Sequence, residues 1–384
     1  MNNIIITFAN AIDPTSGGVE RVYHNLAPFF ISRGFNVYAT YQIKSAYDEH
    51  AVYTACYYMD VAIGHPQYKV QLDNLISRLN IDIAICPFAN FELYDFFSRK
   101  NSLKVFFHIH NVPSELLNRS ISKLPHSLKG TWVDNLTKNI RKYIRFNSSF
   151  RRIDKHGMKL VILSDAFRKS LLKVYSFNVN NVITLPNPFL IDNTFSINSC
   201  VKEKIILYVG RINTRQKRFQ SLLNIWSILQ KKLPEYRMDI LGGGPEKEFY
   251  ENKVKEMGLN RIIFHGFEQP NEYYKRAEML CMTSNYEGFG MVLVEAMQYG
   301  CVPIAFNSFG ALQDIIDDGI NGFRITPFNE KEYAEKVVQY LSSSSENRNK
   351  LQRNAIEKSK TFDINIIGKK WVEMFSNYGK RDNY

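Results

Sequence analysis

The sequence predicts an α/β protein with two domains, each built on a parallel β-sheet that is covered by helices. Short apolar runs rich in β-branched residues alternate with amphipathic helical stretches along the chain, which is the pattern of consecutive βα units around parallel sheets. The length of 384 residues is more than one ordinary core needs and is enough for two well-buried interiors. We therefore expect two Rossmann-like βαβ domains.

Five strands are predicted in each half of the chain from their apolar runs. Those of the first half are Ile4–Phe8, Asn36–Thr40, Ile81–Cys86, Lys104–Ile109 and Lys159–Leu163. Those of the second half are Ile205–Val209, Met238–Leu241, Ile262–Phe264, Met279–Met282 and Val302–Ala305. Helical patterns lie between them, for example at Glu20–Arg33, Phe219–Lys232 and Lys247–Met257.

The two series meet at Leu185-Pro186-Asn187-Pro188, where two prolines bracket one Asn. This segment can continue neither a helix nor a central strand, so it is interpreted as a turn or hinge. We predict a first domain over residues 1–186 and a second over 187–362. Residues 363–384 carry apolar side chains at helical spacing and are expected to form a closing helix.

Three features favour a reducing cytoplasm. The first residues carry a short apolar run without a preceding basic segment, so they are interpreted as a buried strand and not as a signal peptide. No stretch approaches the roughly 18 apolar residues that a membrane span requires. The five cysteines are scattered without a C-x-x-C pair, which fits a reducing compartment.

The net charge of +12 is concentrated in one part of the chain. Between Arg119 and Lys169 there are thirteen Lys and Arg against three Asp, which predicts one basic surface for nucleic acid, an anionic membrane or phosphate-bearing substrates. Within it, residues 130–150 place Trp132 and other apolar residues at helical spacing among the basic ones. This helix is expected either to pack on its own domain or to lie on an anionic membrane. No recognised motif supports binding to nucleic acid.

The most informative segment is Ser284–Met297, which follows a predicted strand and opens a helix. Gly288 and Gly290 allow backbone N–H groups to approach a ligand, and a helix N-terminus favours an anion such as a diphosphate. Glu287 is expected at the loop edge and Glu295 on the helix. Their separation corresponds to roughly 12 Å along a helix, beyond the ~5–9.5 Å between hydrolytic carboxylates. Two separate acceptors for hydroxyl groups fit this spacing better.

A second signal is the loop after the predicted strand Ile205–Val209. Gly210-Arg211 ends the strand, and Lys217 follows near the next helix start. Two cations from one loop can hold a diphosphate and neutralise it as it departs. Arg215 and Arg218 are adjacent and are alternative candidates for the second cation, for which we choose Lys217.

His108 and His110 lie two residues apart on one face of the predicted strand Lys104–Ile109. The sequence offers no obvious third ligand beside them, so metal binding is disfavoured. His108 is expected to pack inside the domain. His110 ends the strand, where α/β folds place ligands, and is therefore a candidate functional residue.

Taken in order, these motifs resemble family 4 of the retaining glycosyltransferases (glycosyl transferases group 1), which has the GT-B fold. The resemblance is carried by the Gly-Arg to Lys loop over 210–217, the turn Gly242-Gly243-Gly244-Pro245 and the E-G-F-G-x4-E segment over 287–295. It extends to the first half, where Ser16-Gly17-Gly18-Val19-Glu20-Arg21 matches the family's G-G-x-E loop. The resemblance implies two Rossmann-like domains that face each other across an inter-domain cleft.

The resemblance also implies the roles of individual residues in the second domain. Arg211 and Lys217 would bind the donor diphosphate, and Glu295 the ribose hydroxyls. Glu287 would hold sugar hydroxyls together with neighbouring backbone amides. These amides belong to Gly288, Phe289 and Gly290. The base of the nucleotide would lie beside Gly266 and Phe267.

Fewer roles are implied in the first domain. Gly17 and Gly18 would close over the phosphates, and His110 would contact the transferred sugar. With Glu287, His110 is expected to be catalytic. Stabilisation of the leaving group is assigned to the cations of the second domain, because no suitable Asp-x-Asp motif occurs. No metal and no cofactor are expected.

The implied function is a retaining transfer of a hexose-type sugar from a UDP- or GDP-linked donor to a hydroxyl of a glycan or lipid-linked acceptor. Such a reaction belongs to surface polysaccharide or glycoconjugate synthesis. The enzyme would be cytoplasmic and would have no nucleic-acid partner. Whether residues 130–150 attach it to the inner face of the cell membrane is left open by the sequence. Two alternatives remain. A nucleotide-sugar epimerase or hydrolase would add no acceptor, and the intact site residues argue against a catalytically silent membrane-associated partner.

Overall fold

The computed structural model describes residues 2–15, 17–45, 52–88, 90–110, 148, 150–174, 178–197 and 201–378. The chain forms two compact units. The first consists of Met1–Phe189 together with Ile364–Tyr384, and the second of Leu190–Asp363. The chain thus passes from the first unit to the second after Phe189, and its C-terminal segment belongs to the first unit.

The first unit contains a seven-stranded sheet with the order β3-β2-β1-β4-β5-β6-β7, in which all neighbouring strands are parallel. Its strands are β1 Asn3–Thr7, β2 Asn36–Tyr41, β3 Ala55–Tyr58, β4 Ile83–Cys86, β5 Lys104–Ile109, β6 Lys159–Ile162 and β7 Val182–Thr184. The helices between them are α1 Gly18–Ser32, α2 Pro66–Arg78, α3 Phe91–Phe97 and α4 Asp165–Val174, with a 3₁₀ turn at Val179–Asn181.

The second unit contains a six-stranded sheet with the order β10-β9-β8-β11-β12-β13, again with parallel neighbours. Its strands are β8 Glu203–Val209, β9 Arg237–Leu241, β10 Ile262–Gly266, β11 Ala277–Met282, β12 Val302–Phe306 and β13 Phe323–Ile325. Its helices are α5 Phe219–Lys232, α6 Lys247–Glu256, α7 Asn271–Arg276, α8 Met291–Met297, α9 Leu312–Ile315, α10 Glu330–Leu341 and α11 Ser345–Lys360.

The last helix, α12 Ile364–Ser376, packs against α1 in the first unit. Its apolar stripe, which includes Trp371 and Phe375, is buried in the core of that unit together with the stripe of α1. The two helices approach closely at Gly368, where a Cβ would lie 2.6 Å from the ring of Phe29. A residue with a side chain at this position would therefore push the helices apart.

The predicted α/β fold with two parallel sheets is confirmed, and all ten predicted strands are present. Three strands were not predicted, namely β3, β7 and β13, and each is short and lies at the edge of its sheet. An edge strand pairs on one side only and needs no continuous apolar run, so its sequence carries a weaker signal than a central strand.

The basic stretch 130–150 lies outside the described residues, apart from Ser148 and Phe150. Among the helices of the described part, none is long and apolar enough to span a membrane.

Candidate functional site

The loops that carry the predicted donor residues meet at the carboxyl ends of β8, β9 and β10, which are neighbours in the second sheet. Backbone hydrogen bonds join these loops directly. The N–H of Gly210 donates to the carbonyl of Leu241 at 2.9 Å, and that of Gly242 donates to the carbonyl of Gly266 at 2.6 Å. The carboxyl end of a parallel sheet is where α/β folds bind ligands, so the loops form a preorganised platform for one.

The approach of the loops depends on Gly242. Its φ of +126° lies in the region that favours glycine. A Cβ at this position would also collide with the carbonyl oxygen of Gly210. Both constraints require glycine here, and they explain why the triple-glycine turn follows β9 directly.

Lys217 and Glu287 form an ion pair at the centre of this site. Lys217 Nζ lies 2.6 Å from Glu287 Oε1, and the two side chains are only 15% and 10% exposed. The ammonium also lies over the backbone of Gly210, because a Cβ on that residue would be 3.7 Å from Nζ. The sequence analysis had assigned the two side chains to different parts of the ligand, whereas the structure brings them into direct contact.

The backbone of the lysine loop is fixed by residues that the sequence analysis did not single out. Asn213 Oδ1 accepts hydrogen bonds from the N–H groups of Gln216 and Lys217, each at 2.9 Å. The Thr283 hydroxyl donates to the carbonyl of Lys217 at 2.9 Å. An Asn a few residues before a helix is a common turn-forming residue, and this is the signal by which Asn213 could have been found.

Tyr208 supports the other cation of the loop. Its hydroxyl donates to the carbonyl of Arg211 at 2.9 Å. Burial raises the pKa of Tyr208 well above its usual value, and the Glu287 carboxylate raises it further, so the phenol stays protonated and remains a donor. The Arg211 side chain itself is exposed and accessible to a ligand.

The two other arginines near Lys217 differ in their surroundings. The Arg218 guanidinium lies over the ring of Phe328 at 4.2 Å, and its backbone has a φ of +48° at the start of α5. These features indicate a packing role for Arg218. Arg215 is exposed.

The E-G-F-G segment turns from β11 into α8 beside this pair. Gly290 is the residue before the helix and has a φ of +94°, a conformation that favours glycine. Phe289 is buried, and its ring packs edge-to-face on Phe362 at 5.6 Å, so its side chain anchors the loop and only its backbone is available. Glu295, on α8, accepts a hydrogen bond from the Tyr274 hydroxyl at 3.2 Å.

The segment after β10 presents an exposed aromatic ring. Phe267 is 87% exposed and its ring lies against Gly243, where a Cβ would be 2.7 Å from it. Gly266 has a φ of +79°, a conformation that favours glycine. His265 instead points back to the sheet, with Nδ1 and the Tyr273 hydroxyl hydrogen-bonded at 3.2 Å.

The candidate residues of the first unit lie at the carboxyl ends of β1 and β5. Gly17 precedes α1 in an extended conformation, and a Cβ there would collide with Oε2 of Glu20. Glu20 is 9% exposed, and burial raises its pKa. Gly18 faces open space, since a Cβ would meet no atom within 4 Å. The G-G-x-E motif therefore folds its glutamate back onto its first glycine and leaves the second accessible.

The packing predicted for His108 is confirmed, and His110 directly follows β5. His108 is fully buried, with Nδ1 and the Tyr23 hydroxyl hydrogen-bonded at 2.8 Å. His110 is 7% exposed, and neither of its ring nitrogens has a hydrogen-bond partner within the described part of the chain. Burial lowers the pKa of His110 to about 3. Its imidazole is therefore neutral at physiological pH and can both donate and accept a hydrogen bond.

A group of three or more His, Cys, Asp or Glu that could hold a metal ion is not found in the described residues. Within the described part of the chain, none of the residues assigned to the sugar donor belongs to such a group.

Comparison with known proteins shows which families and structures the chain is similar to. The family described as glycosyl transferases group 1 matches residues 192–358. The amylovoran biosynthesis glycosyltransferase AmsD of Erwinia amylovora is 30% identical over 224 residues, which cover 57% of this chain and 62% of the relative. An alpha-1,4-N-acetyl-D-galactosaminyltransferase of Campylobacter jejuni that acts on an undecaprenol-linked glycan is 28% identical over 204 residues, covering 53% and 56%. The chain thus spans about three fifths of the length of these curated relatives.

Solved structures match over nearly the whole length. Anabaena HepE in complex with UDP has a TM-score of 0.76 at 16% identity, and the alignment covers 98% of this chain and 100% of HepE. The apo form of the lipopolysaccharide outer core galactosyltransferase WaaB has a TM-score of 0.70 at 18% identity, with the same coverage. These similarities establish the fold. Residues 192–358 are therefore similar to the group 1 glycosyltransferase family, and the chain has the two-unit GT-B fold of the matched structures.

Proposed function

We propose that this protein is a retaining glycosyltransferase that moves a hexose-type sugar from a UDP- or GDP-linked donor to a hydroxyl of a glycan or lipid-linked acceptor. The observation that carries the proposal is the Lys217–Glu287 pair beside Gly210, at the carboxyl ends of the second sheet. It puts a cation for a diphosphate and a carboxylate for sugar hydroxyls side by side, where a sugar and its phosphate are joined in a nucleotide sugar.

The pair can serve both parts of such a donor at once. An ammonium has three N–H donors, so Lys217 can keep its bond to Glu287 and donate to a phosphate oxygen. Glu287 uses Oε1 for this bond, which leaves Oε2 to accept from sugar hydroxyls. Arg211, exposed at the same loop, adds a second cation for the diphosphate.

The reaction follows from this arrangement. The acceptor hydroxyl oxygen forms a bond to the anomeric carbon, and the bond from that carbon to the phosphate oxygen breaks. The hydroxyl proton passes to the departing diphosphate, and the configuration at the anomeric carbon is retained. Lys217 and Arg211 stabilise the charge that develops on the leaving group, which is the effect expected of preorganised cations. We propose that no metal ion is required.

The remaining contacts complete the proposed donor site. The ring of Phe267 is available to stack on the base, and Glu295, held by Tyr274, can accept from the ribose hydroxyls. In the first unit we assign the phosphates to Gly17 and Gly18. We assign a hydroxyl of the transferred sugar to the imidazole of His110, whose ring nitrogens have no hydrogen-bond partner among the described residues.

The relatives support this choice of substrates. HepE was solved with UDP, the Erwinia relative takes part in amylovoran biosynthesis, and the Campylobacter relative acts on a lipid-linked glycan. We therefore propose a role in surface polysaccharide or glycoconjugate synthesis in the cytoplasm. Contact of residues 130–150 with the inner face of the membrane belongs to the same proposal.

The proposal is tested with the full chain and a panel of UDP- and GDP-sugars. A donor that binds the folded protein raises its melting temperature, and the same donor should release its nucleoside diphosphate once an acceptor is added. A panel in which every nucleotide sugar leaves the melting temperature unchanged would refute the donor site. Release of nucleotide without any glycosylated product would favour a hydrolase.

A further inference from the structure

A cavity of about 280 Å³ lies in the second unit, at the amino ends of β8 and β11. Lys202 directly precedes β8, and Glu278 is the second residue of β11. Helix α11 supplies the other polar side chains of the wall. We call this cavity the amino-edge pocket, and its polar wall residues are Lys202, Glu278, Arg348, Asn349, Gln352 and Arg353.

The amino-edge pocket is separate from the proposed donor site. The donor loops follow the carboxyl ends of the strands of the second sheet, whereas Lys202 and Glu278 lie at the amino ends. Strand β8 has seven residues, so about 20 Å separates its two ends at roughly 3.3 Å per residue. A ligand of this pocket would therefore bind apart from the sugar donor.

Three cations and one carboxylate line the amino-edge pocket. The carboxylate is that of Glu278, which is buried and accepts a hydrogen bond from the Tyr236 hydroxyl at 3.3 Å. Arg348 Nε lies 3.3 Å from Glu278 Oε2, so this arginine balances the charge of the glutamate. Lys202 and Arg353 leave an excess of positive charge in the pocket, which favours an anion.

The two arginines retain N–H donors for such an anion. Arg348 uses Nε for Glu278 and Nη1 for the carbonyls of Leu341 and Ser343, whereas its Nη2 has no acceptor in the described part of the chain. The Arg348 side chain is 25% exposed, so solvent and solutes reach it. Arg353 is exposed, and among the described residues its guanidinium has no hydrogen-bond or ion-pair partner. Guanidinium groups bind phosphate oxygens through two N–H donors at once.

The third cation, Lys202, is held in place by the backbone. Its Nζ donates to the carbonyl of Tyr274 at 2.9 Å and to that of Tyr299 at 2.7 Å. These carbonyls fix the position of the ammonium, but they carry no net charge and do not neutralise it. The pocket therefore presents a cation whose position is set before a ligand binds, which lowers the entropic cost of binding.

From this arrangement we propose that the amino-edge pocket binds a small phosphate ester. A phosphate monoester carries about −1.5 to −2 charges at pH 7 and three acceptor oxygens, which suits three cations set against one carboxylate better than a singly charged carboxylate ligand does. The cations hold the phosphate group, and the amides of Asn349 and Gln352 can pair with hydroxyl groups of the ester. This site goes beyond the proposed transfer reaction and does not depend on it.

The test is calorimetric titration of the full chain with glycerol 3-phosphate and with inorganic phosphate, at low ionic strength so that the charges are not screened. Arg353→Gln should weaken binding of glycerol 3-phosphate by about tenfold, which corresponds to roughly 1.4 kcal/mol. Lys350→Gln removes the same charge from an exposed position of α11 outside the pocket wall and should bind like the wild type. Arg211→Ala, which removes a cation of the proposed donor site, should retain binding at the amino-edge pocket.

Several results would overturn the inference. They are binding of neither phosphate compound, equal binding by wild type and Arg353→Gln, and equal weakening by Arg353→Gln and Lys350→Gln. Complete loss of binding in Arg211→Ala would place the phosphate at the donor loops instead. Succinate bound as tightly as glycerol 3-phosphate would show that the pocket does not select phosphate. The thermal shift with nucleotide sugars reports on the proposed function separately, so either proposal can fail while the other stands.

Discussion

Lys217 and Glu287, which are 70 residues apart in sequence, are joined by an ion pair of 2.6 Å and are both largely buried. Neither side chain can be altered without leaving the other charge in a poorly hydrated place. Since we assign them to the phosphate and the sugar of one donor, their pairing also couples the binding of these two parts.

Replacing Glu287 by Gln should abolish measurable transfer while the protein remains folded. The amide has nearly the same shape, but it removes the charge that positions Lys217 and accepts from the sugar hydroxyls. Circular dichroism and a transfer assay measure the two effects. A variant that is folded and transfers at a near-normal rate would contradict the role of Glu287.

Replacing Lys217 by Ala should lower the transfer rate at least ~100-fold, as expected for the loss of a preorganised charge stabiliser. It should also destabilise the protein by up to about 3 kcal/mol, because the Glu287 carboxylate loses its partner. The double variant Lys217→Met with Glu287→Gln should recover stability without recovering activity. Arg215→Ala is the matched control. If it is inactive and Lys217→Ala is not, the second cation was assigned to the wrong residue.

Much of the fold could be predicted from the sequence because central strands of a parallel sheet are buried on both faces and therefore apolar throughout. Strand β4, Ile83–Cys86, is buried at every residue and lies within the apolar run Ile81–Cys86 that predicted it. The edge strand β3 has three partly buried residues and one exposed residue, so its pattern resembles a loop. The strand was therefore not predicted.

The candidate site could be predicted from the sequence less completely than the fold. Gly242 and Gly290 belong to glycine-rich motifs that can be recognised in the sequence, and their backbone conformations explain why glycine is present. The contact between Lys217 and Glu287 could not be predicted from the sequence. Spacing along the chain does not determine which side chains meet when their loops follow different strands. The inward packing of Phe289 and the exposure of Phe267 likewise depend on tertiary structure.

Replacing Phe267 by Ala should weaken donor binding without changing kcat. A base that stacks on an exposed aromatic ring contributes about 1–3 kcal/mol, so the KM for the nucleotide sugar should rise by roughly tenfold. Phe249→Ala removes another exposed ring of the same unit and should have no effect. Equal KM values for wild type and Phe267→Ala would place the base elsewhere.

Transfer should be unaffected by EDTA. The proposed stabilisation of the leaving group comes from Lys217 and Arg211, which need no metal ion. The rate is measured before and after exhaustive dialysis against the chelator. A loss of activity that Mg²⁺ or Mn²⁺ restores would require a metal-assisted mechanism in place of the one proposed.

The stability of the first unit should decrease as the pH falls below about 6.5, in part because of His110. Burial lowers its pKa to about 3 in the folded protein, whereas an unfolded histidine has a pKa of about 6.5. Between these values the unfolded chain binds a proton that the folded chain does not, so the free energy of unfolding rises with pH over this window. Each such histidine contributes up to about 1.4 kcal/mol per pH unit. His108, whose pKa burial and then the neighbouring His110 lower well below its usual value, acts in the same direction.

The contribution of His110 can be separated by comparing wild type with His110→Gln. Denaturant titrations at several pH values between 4 and 8, followed by near-ultraviolet circular dichroism, give the free energy of unfolding at each pH. Because Gln does not titrate, the slope for the variant should be smaller by about one proton between roughly pH 4 and 6, while the two proteins should show the same slope above pH 7. Glu20, whose pKa is raised, changes stability in the opposite direction but equally in both proteins, so it cancels in the comparison. Identical slopes throughout would mean that folding does not lower the pKa of His110, which would contradict the effect expected from its burial.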